Sequence, residues 1–259
     1  MKITHKFRPT EESLEISKSF AEIAGRPFDK ENVKALAENL HEVYFDEIVK
    51  KIGMEEKVSF LPGSMRKFKA SAFQDDDKNS KVFLDEQLDF WLWEVSFVTS
   101  LATFESYKSK EFTRWSALFE KTLDSFLNPF LLEKVRDLYL PLHKSYEKWT
   151  LFTHDVSKAM LGFIFCHEIA HINEGHLGTD GDADLEFETD LQAFWFYQKL
   201  ISYPDKSGYF ALAESMMAAP VLLMKFLSVA EQYRAQKTGK IPIRKDHPDP
   251  LDRAERFYL

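Results

Sequence analysis

The chain has 259 residues, 44% of them hydrophobic, which is enough to bury a sizeable core in one large or two small domains. Its formal net charge of −8 argues against a nucleic-acid partner, because phosphate contacts need clustered Lys and Arg. The single cysteine, Cys166, excludes an internal disulfide and is expected to be a small buried core residue.

The first part of the chain has the pattern of amphipathic helices. Helices are predicted over Thr10–Ala24 and Asp29–Ile52, because each segment begins at a capping residue and is followed by a glycine. A longer helical region is predicted from Glu86 to Tyr139, where aromatic residues at mixed spacings are better explained by core packing than by a ligand cage. We therefore expect a mainly α protein.

Two short segments between these helices have the composition of strands. Lys57–Leu61 and Lys81–Leu84 are β-prone, and they are bounded by Pro62-Gly63 and by the polar residues 74–80. At most a small β-sheet is therefore predicted. It would matter for function because an extended peptide can bind by adding a strand to an exposed sheet edge.

A boundary is predicted at Pro141, because proline interrupts a helix. It divides the chain into an N-terminal helical region, 1–140, which holds the small sheet if one forms, and a second helical region, 141–259. The two regions are expected to pack as one unit.

The second region contains a helix that is apolar on nearly all sides. About five turns are predicted, with Thr153 or Asp155 capping the start and Gly175 marking the end. A solvated surface helix would carry charge on its outer face, so this helix is expected to be central.

His167-Glu168-Ile169-Ala170-His171 lies on this helix. Its two histidines are four residues apart on one helical face, where both imidazoles can bind one zinc ion. A catalytic zinc takes three protein ligands and leaves a position for water, and Glu168 can reach that water as a general base. The spacing therefore predicts a zinc site of the kind that hydrolyses peptide bonds.

The third ligand is expected from the helix that follows. Glu186 and Asp190 are one helical turn apart, so Glu186 would coordinate the metal while Asp190 accepts the second ring N–H of a ligand histidine. Glu188 would point elsewhere, about 200° around the helix from Glu186. The alternative is a solvated acidic first turn that favours the helix N-terminus electrostatically. The apolar residues after Asp190 favour the ligand interpretation.

A last motif lies near the end of the chain, where four residues separate His247-Pro248 from Arg253. Pro248 suits the first turn of a final helix, so His247 would lie in a loop just before it. Such a loop can approach an open metal position. Alternatively, His247 is only a neighbour of the helix cap, and Arg253 pairs with an acid on a neighbouring helix.

Together these motifs resemble the gluzincin metallopeptidases, in which the Glu of a Glu-x-x-x-Asp helix is the third zinc ligand. The His-Pro-(x)4-Arg spacing resembles an element of the HtpX-like and CAAX-prenyl-protease-like gluzincins. His171-Ile172-Asn173-Glu174-Gly175-His176 is similar to the ImmA/IrrE-type peptidases and the phage-exclusion Lit peptidases, which are soluble and intracellular. The resemblance covers about residues 150–259, and Thr189 departs from it by standing where these families usually carry Ala.

The resemblance implies a helical, gluzincin-like zinc metallopeptidase that is a cytoplasmic endopeptidase, latent or regulated, with Zn²⁺ as its cofactor and a protein or peptide as its substrate. A role in phage defence would follow from the likeness to Lit. No signal peptide is expected, because the first residues lead into polar sequence without an apolar run. No membrane span is expected either, because the apolar run Ala218–Leu227 is short and broken by Lys225. The expected site residues are the metal ligands His167, His171 and Glu186, the catalytic residues Glu168 and His247, and Asp190 behind the ligands.

A second class of function stays open. If His247 permanently occupied the fourth metal position, the chain would be a non-catalytic, zinc-binding regulatory or effector-binding protein. His247 could instead donate to the oxyanion of the tetrahedral intermediate. One of Tyr197, Tyr203 and Tyr209 could stabilise the same oxyanion. His176 could line the cleft, or it could interact with the dipole at the helix C-terminus.

Overall fold

The computed structural model describes residues 18, 41–42, 44–63, 68–177, 183–202, 217–240 and 248–257. In these ranges the protein is mainly α-helical with a small three-stranded mixed sheet, which confirms the predicted mainly α class with at most a small sheet. The predicted helix Thr10–Ala24 lies outside the described residues except for residue 18. The predicted helix Asp29–Ile52 is described at 41–42 and 44–52, which are helical, and residues 44–52 form α1.

The sheet contains β1 (Val58–Gly63), β2 (Ala70–Gln74) and β3 (Ser80–Asp85) in the order β1–β3–β2, so β2 lies at an edge. β1 and β3 correspond to the predicted strands. β2 is not predicted, and its Gln74 belongs to the sheet rather than to the polar loop. Two alanines give β2 a weak strand propensity, so its extended form depends on antiparallel pairing with β3, from Ala70 opposite Leu84 to Gln74 opposite Ser80.

The predicted helical region from Glu86 to Tyr139 is not one helix. It consists of α2 (Glu86–Thr103), α3 (Lys110–Leu127), a short 3₁₀ turn (Pro129–Leu131) and the start of α4 (Leu132–Ser145). Polar N-caps begin two of these elements. The Ser109 side chain accepts a hydrogen bond from the Phe112 backbone N–H at the start of α3, and the Asn128 side chain accepts one from the Phe130 backbone N–H at the start of the 3₁₀ turn. Pro141 lies inside α4, so it does not end a helix. The division into 1–140 and 141–259 stays a prediction.

Contacts group the described parts of the chain into two compact units, and neither unit is continuous in sequence. Asp85–His154 makes up most of one unit. Its helices α2, α3 and α4 share a core of side chains contributed by all three: Phe97, Val98, Leu101, Trp115, Leu118, Val135, Tyr139 and Leu142. Large apolar side chains on one face of each helix thus account for their packing.

The other unit comprises Phe45–Leu61, Lys69–Leu84 and the described residues after Asp155. Its helices are residues 45–52 of α1, the greater part of α5 (Glu147–Asn173), α6 (Ala183–Ser202), α7 (Ala219–Thr238) and α8 (Pro250–Arg256). Edge-to-face aromatic contacts build its core, with Phe165 against Phe45 and Phe60, and Phe163 against Tyr197 and Phe257. Among the helices of the described ranges, none combines the length and apolar character needed to cross a membrane.

Candidate metal centre

The helix α5 positions the two motif histidines. It begins at Glu147, earlier than the predicted caps, and ends where predicted, at the left-handed Gly175 (φ 75°). There the His176 N–H donates to the His171 carbonyl at 2.9 Å and the Gly175 N–H to the Ile172 carbonyl at 3.2 Å, the Schellman pattern. His167 and His171 lie one turn apart on the inner face, with 3.1 Å between their Nε2 atoms.

Glu186 on α6 joins these histidines. Its Oε2 lies 3.5 Å from His167 Nε2, and its Oε1 lies 3.5 Å from His171 Nε2. Ligand atoms around a tetrahedral zinc at bonds of about 2.0–2.2 Å are separated by about 3.3–3.6 Å, so these spacings fit one ion held by all three residues. The chain therefore has a possible buried metal site formed by His167, His171 and Glu186. Glu188 is exposed, as expected for a residue on another face of α6.

Asp190 lies behind His167. Its Oδ1 is 3.0 Å from His167 Nδ1, and a carboxylate can only accept there, so Nδ1 carries the hydrogen and Nε2 faces Glu186. Arg253 on α8 donates to Asp190 through both Nε and Nη2, each at 2.7 Å. Burial works against ionisation of Asp190, but hydrogen bonds from Arg253 and His167 hold its pKa below the usual value. Arg253 thus pairs with an acid on a neighbouring helix, which is one of the two interpretations of its motif, and that acid is Asp190.

A hydroxyl group lies behind His171. The fully buried Thr189 has its Oγ1 3.4 Å from His171 Nδ1 and 3.1 Å from His176 Nδ1. The Thr189 hydroxyl thereby links His176 to His171. The spacing of Thr189 from Glu186, three residues along the same helix, indicates the shared face but not which groups the hydroxyl contacts.

The two histidines differ in basicity although they are neighbours. Burial alone would lower the pKa of His167, but its hydrogen bonds to Asp190 and Glu186 raise that pKa to about 9. Burial and the adjacent His167 lower the pKa of His171 to about 4. With the two Nε2 atoms 3.1 Å apart, a positive charge on one ring opposes a positive charge on the other. A metal ion binding between them would therefore displace a proton.

Glu168 faces the sheet. Its side chain is partly exposed, burial of the carboxyl group raises its pKa, and the nearby His167 and a hydrogen bond from the Ala72 backbone N–H oppose that rise. Lys69 is also close enough to lower the pKa of Glu168. The structure thus brings together the motif glutamate and the edge strand β2, which the sequence did not predict.

Comparisons with known proteins found no relative of the chain. No family profile matches the chain, and no curated protein or solved structure is significantly similar to it.

The remaining predicted site residues are buried in the core or lie outside the described residues. His247 belongs to the second group, as do Tyr203 and Tyr209. Tyr197 is fully buried, with its ring packed edge-to-face on Phe163 at 5.9 Å. Cys166 is buried as expected, and burial raises the pKa of its thiol, so it is unreactive.

Proposed function

We propose that the chain is a zinc-dependent endopeptidase of the gluzincin kind, and that His167, His171 and Glu186 hold its zinc ion. The observation that carries the proposal is the joint placement of the three ligand atoms and of Glu168 beside them at the edge of β2. A site that bound metal for stability alone would not need a partly exposed carboxylate next to its ligands.

Each residue has a role in the proposed reaction. When bound, the zinc ion supplies Lewis-acid polarisation of the scissile carbonyl and lowers the pKa of a water molecule to about 7. Glu168 takes the proton from that water and delivers it to the amine leaving group. Asp190 holds His167 in the tautomer that presents Nε2, and Arg253 holds Asp190.

The edge strand supplies a place for the substrate. In the described sheet β2 pairs only with β3, so main-chain groups of an extended peptide could pair along its other edge, beside the Ala72 N–H that donates to Glu168. A peptide bound there would have its backbone beside the proposed base. The substrate class is therefore a protein or peptide in extended form. The expected cytoplasmic location, latency and role in phage defence remain proposals that rest on the resemblance alone.

The test is the variant Glu168→Gln, because an amide keeps the shape of the side chain and cannot accept the proton. The zinc-loaded chain is incubated with a library of proteome-derived peptides, and new termini are counted by mass spectrometry. We expect cleavage by the wild type, a loss of at least about 100-fold in Glu168→Gln, and unchanged zinc content. Glu174→Gln, at an exposed position at the end of α5, serves as the control.

The outcomes separate the two classes of function. Equal cleavage by Glu168→Gln and the wild type would remove Glu168 as the base. Stoichiometric zinc without any cleavage by the wild type would favour the non-catalytic alternative, in which another group fills the fourth position.

A further inference from the structure

Thr189 shares one face of α6 with the proposed ligand and its neighbour. Glu186, Thr189 and Asp190 are spaced three and four residues apart, the spacing that aligns side chains on a helix. Thr189 has no exposed surface, and a buried hydroxyl needs hydrogen-bond partners. Its partners therefore show what the hydroxyl does.

Three groups surround Thr189 Oγ1. The Leu185 carbonyl is at 2.7 Å, His176 Nδ1 is at 3.1 Å, and His171 Nδ1 is at 3.4 Å. A carbonyl can only accept, so the single hydroxyl hydrogen points to Leu185. The oxygen then has only lone pairs left, and both imidazoles must donate to it through Nδ1–H.

This arrangement selects one tautomer of His171. With the hydrogen on Nδ1, the lone pair of the neutral ring is on Nε2, the atom 3.1 Å from His167 Nε2 and 3.5 Å from Glu186. Each motif histidine thus has its own acceptor behind it on α6. Asp190 accepts the hydrogen bond from His167 Nδ1–H, and Thr189 accepts the one from His171 Nδ1–H.

We propose that Thr189 is a positioning residue for the metal site: its hydroxyl fixes the ring orientation and tautomer of His171 and anchors His176 on the same oxygen. The inference rests on the proposed zinc site, and it implies that Thr189 contributes to the affinity of that site for zinc. Loss of such an outer partner typically weakens metal binding by about 10–100-fold.

The experiment measures zinc affinity of the full chain by competition with a fluorescent chelator. Thr189→Val removes the hydroxyl and keeps the shape, whereas Thr189→Ser keeps the hydroxyl. We expect Thr189→Val to weaken zinc binding by about 10–100-fold and Thr189→Ser to remain within about threefold of the wild type. If Thr189→Val does not fold, Thr189→Ala replaces it in the same comparison.

Thr153→Val is the matched control. Thr153 is also fully buried, and its hydroxyl donates to helix carbonyls of Trp149 at 2.8 Å and Thr150 at 3.2 Å, so its loss removes the same kind of bond away from the ligands. Its zinc affinity should equal that of the wild type. The Co²⁺-loaded protein gives a second readout, since the visible absorption bands should shift in Thr189→Val and not in Thr189→Ser or Thr153→Val.

The results separate this inference from the function on which it rests. Wild-type zinc affinity in Thr189→Val, or an equal loss in Thr189→Ser, would overturn the role of Thr189 and leave the zinc site intact. A wild type that binds no stoichiometric zinc would overturn both.

Discussion

At the scale of residues, the candidate site consists of metal-binding atoms supported by hydrogen bonds from behind. His167 and His171 each present Nε2 to Glu186, and their Nδ1 atoms contact Asp190 and Thr189. Such support fixes ring orientation before any ion binds, which reduces the ordering that binding requires. The same acids could have formed a solvated helix start, but Glu186 and Asp190 are buried.

The first prediction tests which acid is the ligand. Glu186→Ala should lower the affinity for zinc by more than about 100-fold, because it removes a ligand rather than an outer partner. Glu188→Ala, two residues away and exposed, is the matched control and should bind zinc as the wild type does. Metal analysis after dialysis measures both. Loss of zinc in Glu188→Ala with retention in Glu186→Ala would place the ligand two residues further along α6.

The second prediction concerns a buried pair in the unit built by α2, α3 and α4. Glu94 and His143 are each 1% exposed, with 3.3 Å between Glu94 Oε2 and His143 Nε2, and burial raises the pKa of Glu94. The folded chain therefore keeps a proton on Glu94 at a pH at which the unfolded chain has lost it. The stability due to Glu94 is present below its ordinary pKa and falls as pH rises through the raised value.

The Gln side chain of Glu94→Gln cannot titrate, so the variant lacks this loss of stability. The free energy of unfolding of Glu94→Gln should therefore increase relative to that of the wild type as pH rises from 4 to 8. Urea unfolding at several pH values measures the difference. Asp137→Asn, at an exposed position on α4, should leave the pH profile unchanged. A constant difference between Glu94→Gln and the wild type across this range would contradict the prediction.

At the scale of elements, helix ends and edges determine where the site residues lie. Gly175 ends α5 with a positive φ, and the chain then returns so that His176 reaches Thr189 on α6. β2 is extended because it pairs with β3, and this pairing brings Ala72 to Glu168. Propensity indicated the first of these features and not the second.

The third prediction tests the end of α5. Gly175→Ala should lower the free energy of unfolding by about 1–2 kcal/mol, because an L side chain is strained at this φ. Among the described residues other than its chain neighbours, no atom lies within 4 Å of the added Cβ, so no steric clash with them contributes. Gly175→Asn should lose less, since Asn tolerates the left-handed conformation. Equal stability of Gly175→Ala and the wild type in urea unfolding would show that the turn is not strained.

At the scale of the whole molecule, the site is formed by parts of the chain that are far apart in sequence. Arg253 reaches Asp190 across 63 residues, and Ala72 precedes Glu168 by nearly a hundred. The cores of both units consist of large apolar and aromatic side chains. We therefore expect the fold to be independent of the ion, unlike that of a small zinc domain.

The fourth prediction follows from this independence. Chelation of zinc should abolish peptide cleavage while the helical circular dichroism is retained. Added zinc should raise the unfolding temperature, with a stabilisation of about 2.7 kcal/mol at 100 times the dissociation constant. Thermal unfolding with and without a chelator measures both effects. Global unfolding on chelation at room temperature would instead indicate a structural site.

The sequence by itself determined the mainly α class, the helix that carries His167 and His171, its end at Gly175, and Glu186 as their partner. These follow from local periodicity and from fixed spacings along one helix, which need no knowledge of distant residues. It also predicted two of the three strands.

Only the tertiary structure decided β2, the pairing of Arg253 with Asp190, and the contact of Thr189 with His171 and His176. These depend on which distant segments pack together, and neither strand propensity nor helical spacing encodes that choice. Pro141 illustrates the same limit, because the packing of α4 against α2 and α3 outweighs the hydrogen bond that proline removes.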